Sequence, residues 1–305
     1  MATITIIGAG AWGTALASLA SSNGHQVRLW SRRSPDRLEE AIANASIIVS
    51  AVSMSGVRSV ITQLEKALNY NTYNRIIVTA TKGLDPVTTL TPSQIWQAAF
   101  PTIPVVVLSG PNLSKEIQQG LPAATALAST NTRAAETVQA VFNSARFRVY
   151  TNPDPLGVEL GGTLKNVMAL AAGTCDGLQL GTNAKAALLT RGLAEMIRIG
   201  KHWGAKTETF YGLSGLGDLL ATCNSSLSRN YQVGYGLALG NTLKQVLAKL
   251  EGTAEGVNTT QVLMKLAVSV GISVPISYQV YRLLEGEVSP QAAVEALMLR
   301  DIKPE

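Results

Sequence analysis

A glycine-rich turn near the N-terminus constrains the fold of this chain more than any other feature. The motif GAGAWG (8–13) directly follows the β-branched run 3–7 and opens a helical pattern over 14–22. In that context the GxGxxG spacing predicts a dinucleotide-binding turn, because free backbone N–H groups at a helix N-terminus hold a pyrophosphate. The alternative is a glycine-rich turn that binds nothing.

Each position of the motif has its own part in this prediction. Gly8 permits the tight turn, Gly10 lets a pyrophosphate approach the backbone, and Gly13 allows the helix to pack closely. Trp12 either packs against the sheet or screens the cofactor, and the sequence favours neither. The predicted cofactor-binding residues of this turn are Gly8, Gly10, Ala11, Trp12 and Gly13.

The first half of the chain alternates strand-like and helix-like segments. Helical patterns lie at 14–22, 55–68 and 92–99. They separate short β-branched runs at 4–7, 27–30, 47–52, 76–79 and 105–108. This alternation is typical of an α/β fold with a Rossmann-like, doubly wound and mostly parallel sheet.

The second half is helical and has few strand signals. Apolar residues recur at helical spacing over 156–172, 184–203, 243–250, 259–270, 278–284 and 291–299. A last strand-like run at 147–150 precedes Pro153 and Pro155, which remove backbone donors. For 305 residues, at about 150 per domain, we predict a dinucleotide-binding domain over 1–150 and an all-α substrate and catalytic domain over 151–305.

Composition narrows the function classes. The 25 Lys and Arg exceed the 20 Asp and Glu by a scattered +5, which suits a small anionic ligand better than a nucleic acid. Two distant cysteines, Cys175 and Cys223, and two histidines form neither a disulfide framework nor a metal-ligand spacing. We therefore expect a cytoplasmic protein without a metal. Neither a secretory leader nor an apolar run of the roughly 20 residues that span a bilayer is present, so no membrane span is expected.

The end of the second predicted strand bears on the choice of dinucleotide. Trp30 is followed by Ser31-Arg32-Arg33, and no acidic residue that would bind a ribose 2′-hydroxyl ends this strand. The guanidinium groups of Arg32 and Arg33 suit a 2′-phosphate or stack on adenine. A solvated basic turn is the alternative.

Two further turns follow strands at the edge where ligands bind in open α/β sheets. Lys82 follows the strand at 76–79, and Ser109-Gly110-Pro111-Asn112 ends the strand at 105–108 with exposed backbone donors. We expect Lys82 to face the cleft. Taken alone, either turn is equally compatible with a solvent-exposed loop.

A lysine in the helical half is the candidate acid and base. Lys165 and Asn166 lie among small and apolar neighbours in the segment GVELGGTLKNVM (157–168). Burial or a nearby second cation lowers the pKa of a lysine towards neutrality, which makes it usable for proton transfer. The scarcity of histidine favours a lysine in this role. A lysine that lies along a helix surface with its ammonium group in water is the alternative.

Two polar segments follow in the helical half. GLSGLGD (212–218) looks like a second glycine fingerprint, but no strand precedes it, so we interpret it as a loop leading into a helix with Asp218 and Thr222 one turn apart. Ser228, Arg229 and Asn230 combine a hydroxyl, a forked cation and an amide, which suit a phosphate or hydroxyl group. Alternatively, Ser228 caps a helix.

With the motifs GAGAWG, TKG, SGP, GGTLKN, GLSGLGDLLATC, SRN and EGV in this order, the chain resembles the bacterial type of the NAD(P)-dependent glycerol-3-phosphate dehydrogenase family. The resemblance spans nearly the whole chain, and its C-terminal motifs are much more specific than the fingerprint. It implies reversible reduction of dihydroxyacetone phosphate to sn-glycerol 3-phosphate with NADPH or NADH, feeding glycerophospholipid synthesis. We also expect a homodimer.

The resemblance further implies the roles of individual residues. Lys165 is the proton donor and acceptor. The implied substrate-binding residues are Lys82, Gly110, Asn112, Lys165, Asp218, Ser228, Arg229 and Asn230. Besides the glycine turn, the implied cofactor-binding residues are Arg32, Arg33, Lys82, Arg229 and Glu255.

The chain departs from the family pattern in two places. Only 13 residues separate Arg33 from Ile47, where family members usually carry a further helix, a proline-containing loop and a short strand. This shortening bears on how the adenine side and the cleft mouth are covered, but none of the substrate motifs falls inside it. Asn112 is a smaller departure, since a serine is common at that position.

Two other functions remain open from the sequence. One is a reductase of similar architecture that acts on a hydroxy acid or a sugar nucleotide, which would leave residues 228–230 without a phosphate to bind. The other is a non-catalytic dinucleotide-sensing module, which would need no activated Lys165.

Overall fold

A seven-stranded sheet forms the first half of the chain, of which the computed structural model describes residues 1–68 and 74–301. The strands are β1 (Thr3–Ile7), β2 (Gln26–Trp30), β3 (Ile47–Ser50), β4 (Ile76–Thr79), β5 (Val105–Ser109), β6 (Ala123–Ala128) and β7 (Phe147–Asn152). Their order is β2-β1-β3-β4-β5-β6-β7. Strands β1 to β5 are parallel, whereas β6 pairs antiparallel with β5 and parallel with β7. The predicted mostly parallel, doubly wound sheet is therefore confirmed.

The connections between the strands are helical. They contain α1 (Ala11–Ser22), α2 (Leu38–Ile42), α3 (Met54–Leu68), α4 (Pro92–Ala99), α5 (Ser114–Gln118) and α6 (Thr132–Phe142). Thr91 and Gln94 form a reciprocal capping box around Pro92, so α4 begins where its sequence dictates. Sequence patterns identify α1, α3 and α4 but miss α2, α5, α6 and the strand β6, whose segment AATALA has a single β-branched residue.

The second half is built from helices. They are α7 (Pro155–Gly177), α8 (Gly181–His202), a 3₁₀ turn (Thr207–Tyr211), a π-helical turn (Leu213–Gly217), α9 (Asp218–Cys223), α10 (Arg229–Ala238), α11 (Leu243–Lys249), α12 (Glu255–Val270), α13 (Pro275–Leu284) and α14 (Pro290–Met298). The predicted all-α region is confirmed. Among the described helices, none combines the length and apolarity that crossing a membrane requires.

Two local expectations need correction. The segment 212–218 is not a loop, because the π-helical turn runs directly into α9. A Cβ at Gly215 would lie 2.1 Å from the carbonyl oxygen of Phe210, so this tight turn depends on the missing side chain. The last strand, β7, runs to Asn152, two residues past the predicted strand at 147–150.

Helix α7 is the centre of the second half and is buried along most of its length. Its N-terminus is capped by Asp154, whose Oδ1 accepts from the N–H of Gly157 at 2.9 Å. A Cβ at Gly173 would lie 2.0 Å from the carbonyl oxygen of Tyr231, and one at Gly234 would lie 1.8 Å from that of Leu170. Glycines therefore allow the backbones of α7 and α10 to touch.

Three hydrogen bonds attach the loop after β4 and the start of α4 to the second half. Gly83 N–H donates to Thr163 Oγ1 of α7 at 3.0 Å, and Asn258 Nδ2 of α12 donates to the Leu84 carbonyl at 2.9 Å. The N–H of Ser93, in the first turn of α4, donates to the buried carboxylate of Glu159 on α7 at 2.9 Å. These bonds fix the carboxyl end of β4 against α7.

Candidate active site

The glycine motif forms the turn that a dinucleotide requires. Gly8 has φ +116°, a conformation that L side chains rarely adopt. A Cβ at Gly13 would lie 1.8 Å from the carbonyl oxygen of Gly8, whereas a Cβ at Gly10 would meet nothing within 4 Å. The helix is thus closely packed at Gly13, and the space at Gly10 leaves room for a pyrophosphate.

This turn lies where the strand order reverses. Strand β1 lies between β2 and β3. A Cβ at Gly8 would lie 2.6 Å from the carbonyl oxygen of Ala51, just after β3. The first N–H groups of α1, from Ala11 onward, meet no capping side chain from Gly10. Such a crevice is where open α/β sheets bind nucleotides, so the residues fit a dinucleotide. Trp12 is partly buried and packs on the core beneath the sheet.

The two arginines predicted at the adenosine end lie on the turn after β2. The side chains of Arg32 and Arg33 are exposed. Their charged neighbours are engaged elsewhere, because Arg28 pairs with Asp36 at 3.4 Å. Arg32 and Arg33 lie on a different loop from the lysines described next, and their contact with a cofactor stays a prediction.

Two lysines from the two halves of the chain share one buried carboxylate. Lys82 Nζ, on the loop after β4, donates to Asp218 Oδ2 and, at 3.1 Å, to the Gly110 carbonyl. Lys165 Nζ of α7 lies 3.0 Å from Asp218 Oδ1 and donates to Thr222 Oγ1. Thr222 itself donates to Asp218 Oδ1 at 3.1 Å. The structure therefore brings Lys82, Gly110, Lys165 and Asp218 together.

The environment of Lys165 changes its proton affinity. Only 6% of this residue is exposed, and burial lowers the pKa of its ammonium group to about 8. That value already includes the effect of the Asp218 carboxylate, which raises the pKa, and the smaller effect of the positive charge of Lys82, which lowers it. Lys165 can thus exchange a proton close to neutral pH, as an acid–base group must.

A polar network connects the segment 228–230 to Asn166, the residue after Lys165 on α7. Asn230 Nδ2 donates to Asn166 Oδ1 at 2.9 Å, and Asn230 Oδ1 accepts from the Gly256 N–H at 2.9 Å. Ser228 Oγ accepts from the Tyr231 N–H and is the N-cap of α10. The capping interpretation of Ser228 is therefore confirmed, while contact with a substrate stays a prediction for both residues.

Arg229 and Glu255 lie close together at the start of α12. Arg229 Nη1 donates to the Thr253 carbonyl at 3.2 Å, and a Cβ at Gly252 would lie 3.1 Å from the guanidinium carbon. Glu255 Oε1 accepts from the N–H of Met54, the first residue of α3, at 3.2 Å. Burial raises the pKa of Glu255, and the nearby Arg229 charge lowers it. Glu255 thus brings α12 to the carboxyl end of β3, beside the dinucleotide crevice.

Asn112 is held at the other side of the lysine pair, after β5. Its Nδ2 donates to Thr125 Oγ1 at 2.9 Å, and Thr125 donates to the Ser109 carbonyl at 3.1 Å. A Cβ at Gly110 would approach the Thr125 Cα to 3.0 Å, so Gly110 lets β5 and β6 close on each other. Asn112 is thereby fixed beside Gly110, the carbonyl partner of Lys82.

Two residues of the site have no role assigned from the sequence. Thr222 bridges Lys165 and Asp218, and its position one helical turn after Asp218 is the signal that identifies it. Asn166 follows Lys165 and contacts Asn230, but no local pattern predicts a contact across 64 residues. Within residues 1–68 and 74–301, no cluster of three His, Cys, Asp or Glu side chains could hold a metal ion.

A dinucleotide crevice beside a lysine suited to proton transfer fits a dinucleotide-dependent dehydrogenase, and comparison with known proteins identifies the family. Residues 154–295 match the model of the NAD-dependent glycerol-3-phosphate dehydrogenase C-terminus. Residues 3–37 and 33–135 match the model of the N-terminus of the same family. The chain belongs to the NAD-dependent glycerol-3-phosphate dehydrogenase family, and the predicted resemblance and class of cofactor are confirmed.

Relatives and solved structures agree with this assignment. A protein of Trichormus variabilis named glycerol-3-phosphate dehydrogenase (NAD(P)+) is 68% identical over 303 residues, which cover 99% of this chain and 98% of the relative. Its namesake in Synechocystis is 61% identical over 99% of this chain and 95% of the relative. The crystal structure of glycerol-3-phosphate dehydrogenase from Coxiella burnetii is 36% identical, with a TM-score of 0.92 over 98% of this chain and 99% of that chain.

The N-terminal family model is matched in two pieces that meet at residues 33–37. This is the position at which the sequence predicts a shortened segment. In the structure, the exposed turn after β2 leads directly into the five-residue helix α2 (Leu38–Ile42). The Trichormus relative is covered over 98% of its length, so it is nearly as short as this chain.

Proposed function

We propose that this chain catalyses the reversible reduction of dihydroxyacetone phosphate to sn-glycerol 3-phosphate with NADPH or NADH. Family membership supports the reaction, and one structural observation carries the assignment of its acid–base group. Lys165 is buried, has a pKa of about 8 and forms an ion pair with Asp218. Asp218 also pairs with Lys82, which follows the carboxyl end of β4. This arrangement supplies a proton and a positive field to one small volume.

The residues that would hold the dinucleotide are those of the glycine turn, with Arg32 and Arg33 at the adenosine end and Glu255 at the opposite side of the crevice. When bound, the reduced dinucleotide supplies the hydride that the carbonyl carbon accepts. Lys165 donates its Nζ proton to the carbonyl oxygen as negative charge develops there. In the reverse direction the neutral amine takes the proton from the secondary hydroxyl.

The neighbours of Lys165 prepare it for this transfer. Thr222 Oγ accepts from Lys165 Nζ and donates to Asp218, so it orients the ammonium group. Lys82, held by Asp218 and the Gly110 carbonyl, adds a positive charge that stabilises the alkoxide. The charge of Lys82 also lowers the pKa of Lys165, so that the same pair of lysines both stabilises the alkoxide and eases proton release.

The substrate phosphate would bind at the start of α10. The Arg229 guanidinium group has several N–H donors at this position, and one of them donates to the Thr253 carbonyl. Asn230 connects this position to Asn166 of α7, the residue after Lys165. Asn112 lies on the far side of the lysine pair and would contact the other end of the substrate.

An assay with a panel of carbonyl compounds tests this function. The purified chain is given NADPH or NADH with dihydroxyacetone phosphate, dihydroxyacetone, pyruvate or a keto-sugar nucleotide, and the loss of absorbance at the reduced nicotinamide is followed. We expect rapid oxidation with dihydroxyacetone phosphate alone. A higher rate with pyruvate or the sugar nucleotide would establish the rival reductase, and binding of NADPH without turnover would establish the sensing module.

We propose the following properties of the molecule beyond its reaction. The boundary between a dinucleotide-binding domain and a helical domain lies between β7 and α7, because Pro153 and Pro155 interrupt the chain there and separate apolar cores surround the sheet and α7. The chain acts in the cytoplasm as a homodimer that binds no nucleic acid, and its product enters glycerophospholipid synthesis. The buried free cysteines Cys175 and Cys223 support a reducing compartment.

A further inference from the structure

Trp30 connects two parts of the dinucleotide crevice. Its main-chain carbonyl accepts from the Gly8 N–H at 2.8 Å, which joins the end of β2 to the glycine turn. Its indole Nε1 donates to the Asp36 carbonyl at 2.9 Å, which ties down the far end of the turn after β2. A single residue thus sets the position of the pyrophosphate turn and of the segment that carries Arg32 and Arg33.

The segment 31–36 is a compact turn closed by its own side chains. Ser34 Oγ accepts from the Ser31 N–H at 2.9 Å, and Ser31 Oγ accepts from the Arg33 N–H at 3.2 Å. The Ser34 N–H donates back to the Ser31 carbonyl at 2.9 Å. Three hydrogen bonds within residues 31–34 close this turn, so its shape depends on few bonds.

We call the hydrogen bond from Trp30 Nε1 to the Asp36 carbonyl the brace of this turn. The side chain of Asp36 makes a further contact. The Asp36 carboxylate lies 3.4 Å from Arg28, whose Nη1 also donates to the Glu40 carbonyl at 2.6 Å. The Asp36 carbonyl holds the Trp30 indole. Asp36 is therefore tied to β2 and α2, while the exposed Arg32 and Arg33 remain as the positive charges of the turn.

We propose that Trp30 is a positioning residue for recognition of the 2′-phosphate of NADP(H). It acts through the turn 31–36, which it holds in one conformation so that Arg32 and Arg33 meet the phosphate without first being ordered. This rests on the proposed function, in which these arginines bind the 2′-phosphate. NADP(H) is then the cofactor that the shortened segment is built to select.

Trp96 offers a matched control within the same apolar cluster. Trp30 and Trp96 are both buried there, but Trp96 Nε1 has no hydrogen-bond partner among the residues that the structure describes. Trp30→Phe removes an indole N–H that braces the turn, and Trp96→Phe removes one that braces nothing. Both changes leave a cavity of similar size, so their difference reports the bond.

The test measures binding of NADP+ and of NAD+ to the free protein by isothermal titration calorimetry, since the two dinucleotides differ only in the 2′-phosphate. For Trp30→Phe we expect the Kd for NADP+ to rise about fivefold, the effect of one lost hydrogen bond. We expect the Kd for NAD+ to stay within twofold. Trp96→Phe should leave the ratio of the two constants unchanged. Ser34→Ala, which loosens the turn without touching the core, should weaken NADP+ binding in the same direction.

A double variant, Arg32→Ser with Arg33→Ser, separates this proposal from the one on which it rests. If the double variant loses its preference for NADP+ while Trp30→Phe and Ser34→Ala keep theirs, the arginines bind the phosphate and the brace is refuted. If Trp30→Phe loses the preference and the double variant keeps it, both the arginine assignment and the proposed action of Trp30 through Arg32 and Arg33 are refuted. Equal weakening of both dinucleotides by Trp30→Phe would also refute the brace.

Discussion

Lys165 and Asp218 form a buried ion pair, with 3.0 Å between Nζ and Oδ1, in which the carboxylate also holds the ammonium group of Lys82. The single carboxylate of Asp218 therefore faces two ammonium groups, which leaves one positive charge uncompensated. The uncompensated charge favours loss of a proton from the more deeply buried lysine, which explains why Lys165 rather than Lys82 is suited to proton transfer.

Replacement of Lys165 by Met should lower kcat at least about a hundredfold, because removal of a general acid–base group typically costs 10² to 10⁴ in rate. Methionine keeps the apolar stem and removes only the ammonium group. Calorimetric binding of NADPH should be nearly unchanged, since the glycine turn and Arg32 and Arg33 are untouched.

Lys185→Met is the control for this variant. Lys185 also pairs with an aspartate, Asp176, which accepts from the Tyr231 hydroxyl at 2.7 Å, but Asp176 lies at the C-terminal end of α7, about three turns after Lys165. It should keep normal turnover. Normal turnover of a folded Lys165→Met protein would instead remove Lys165 from the mechanism.

The pH dependence of the reaction should follow the ionisation of Lys165. Reduction requires the protonated amine, so kcat should fall as the pH rises above about 8, the pKa to which burial lowers this group. Oxidation requires the neutral amine, so kcat in that direction should rise with pH and level off above about 8. Stopped-flow rates from pH 7 to pH 9.5 in both directions check the opposite signs. A common slope in the two directions would contradict the assignment.

Asp218→Asn should move this profile to lower pH. The carboxylate of Asp218 favours the charged form of Lys165, and its loss leaves the field of Lys82 unopposed. An opposite charge at such a distance typically shifts a pKa by about 1 to 3 units, so the fall in reduction rate should begin at least about one unit lower. The same stopped-flow series measures the shift. An unchanged profile in a folded variant would mean that Asp218 only positions the lysines.

The sequence predicts the parts of the fold that local patterns encode. Strands β1, β3, β4 and β5 carry β-branched runs, and β2 combines Val27 with the strand-favouring Trp30. Gly8 occupies a position where only glycine is comfortable, with φ +116°. β6 escapes such patterns because alanine has no strand preference, and its pairing with β5 is decided by tertiary packing. Long-range context therefore determines the antiparallel end of the sheet.

The candidate site also combines features that local sequence patterns predict with contacts that depend on the fold. Lys165 is identified because a lysine among small apolar residues stands out, but its contact with Asp218 joins two helices. The contact of Lys82 with Asp218 spans 136 residues, which no spacing rule covers. The sequence predicts helix capping by Ser228 only as an alternative to ligand binding, and the structure confirms the cap at the start of α10.

Glu159 should make stability depend on pH near neutrality. Burial raises the pKa of this carboxyl to about 7, against 4.5 as its ordinary value, although Ser93 donates to it. Between these values the folded chain binds a proton that the unfolded chain does not, so stability falls as the pH rises. Relative to Glu159→Gln, the parent should lose about 2 kcal/mol of unfolding free energy from pH 5 to pH 7. Urea titrations measure this difference.

Asp85→Asn is the comparison for this prediction. Its carboxylate is bound by Arg58 at 2.6 Å, and that bond holds the pKa of Asp85 well below its usual range. Asp85 is ionised in the folded and unfolded chain throughout pH 5 to 7, so its contribution should be constant there and be lost only in acid. A flat difference for Glu159→Gln as well would show that Glu159 stays ionised in the folded protein.

Arg229→Leu should separate phosphate recognition from the chemistry at the carbonyl. The guanidinium group donates through Nη1 to the Thr253 carbonyl, and Arg229 is exposed at the start of α10. A charge-assisted hydrogen bond contributes about 1.5 to 3 kcal/mol, so kcat/KM for dihydroxyacetone phosphate should fall about tenfold to a hundredfold. Unphosphorylated dihydroxyacetone, a poor substrate from the outset, should lose little. Arg282→Leu is the control, because Arg282 lies on α13 and pairs with Glu287. It should leave kcat/KM unchanged for both substrates. Equal proportional losses of kcat/KM for the two substrates in Arg229→Leu would show that Arg229 does not recognise the phosphate, because the two substrates differ only in that group. Arg229 would then be a structural support for the start of α12.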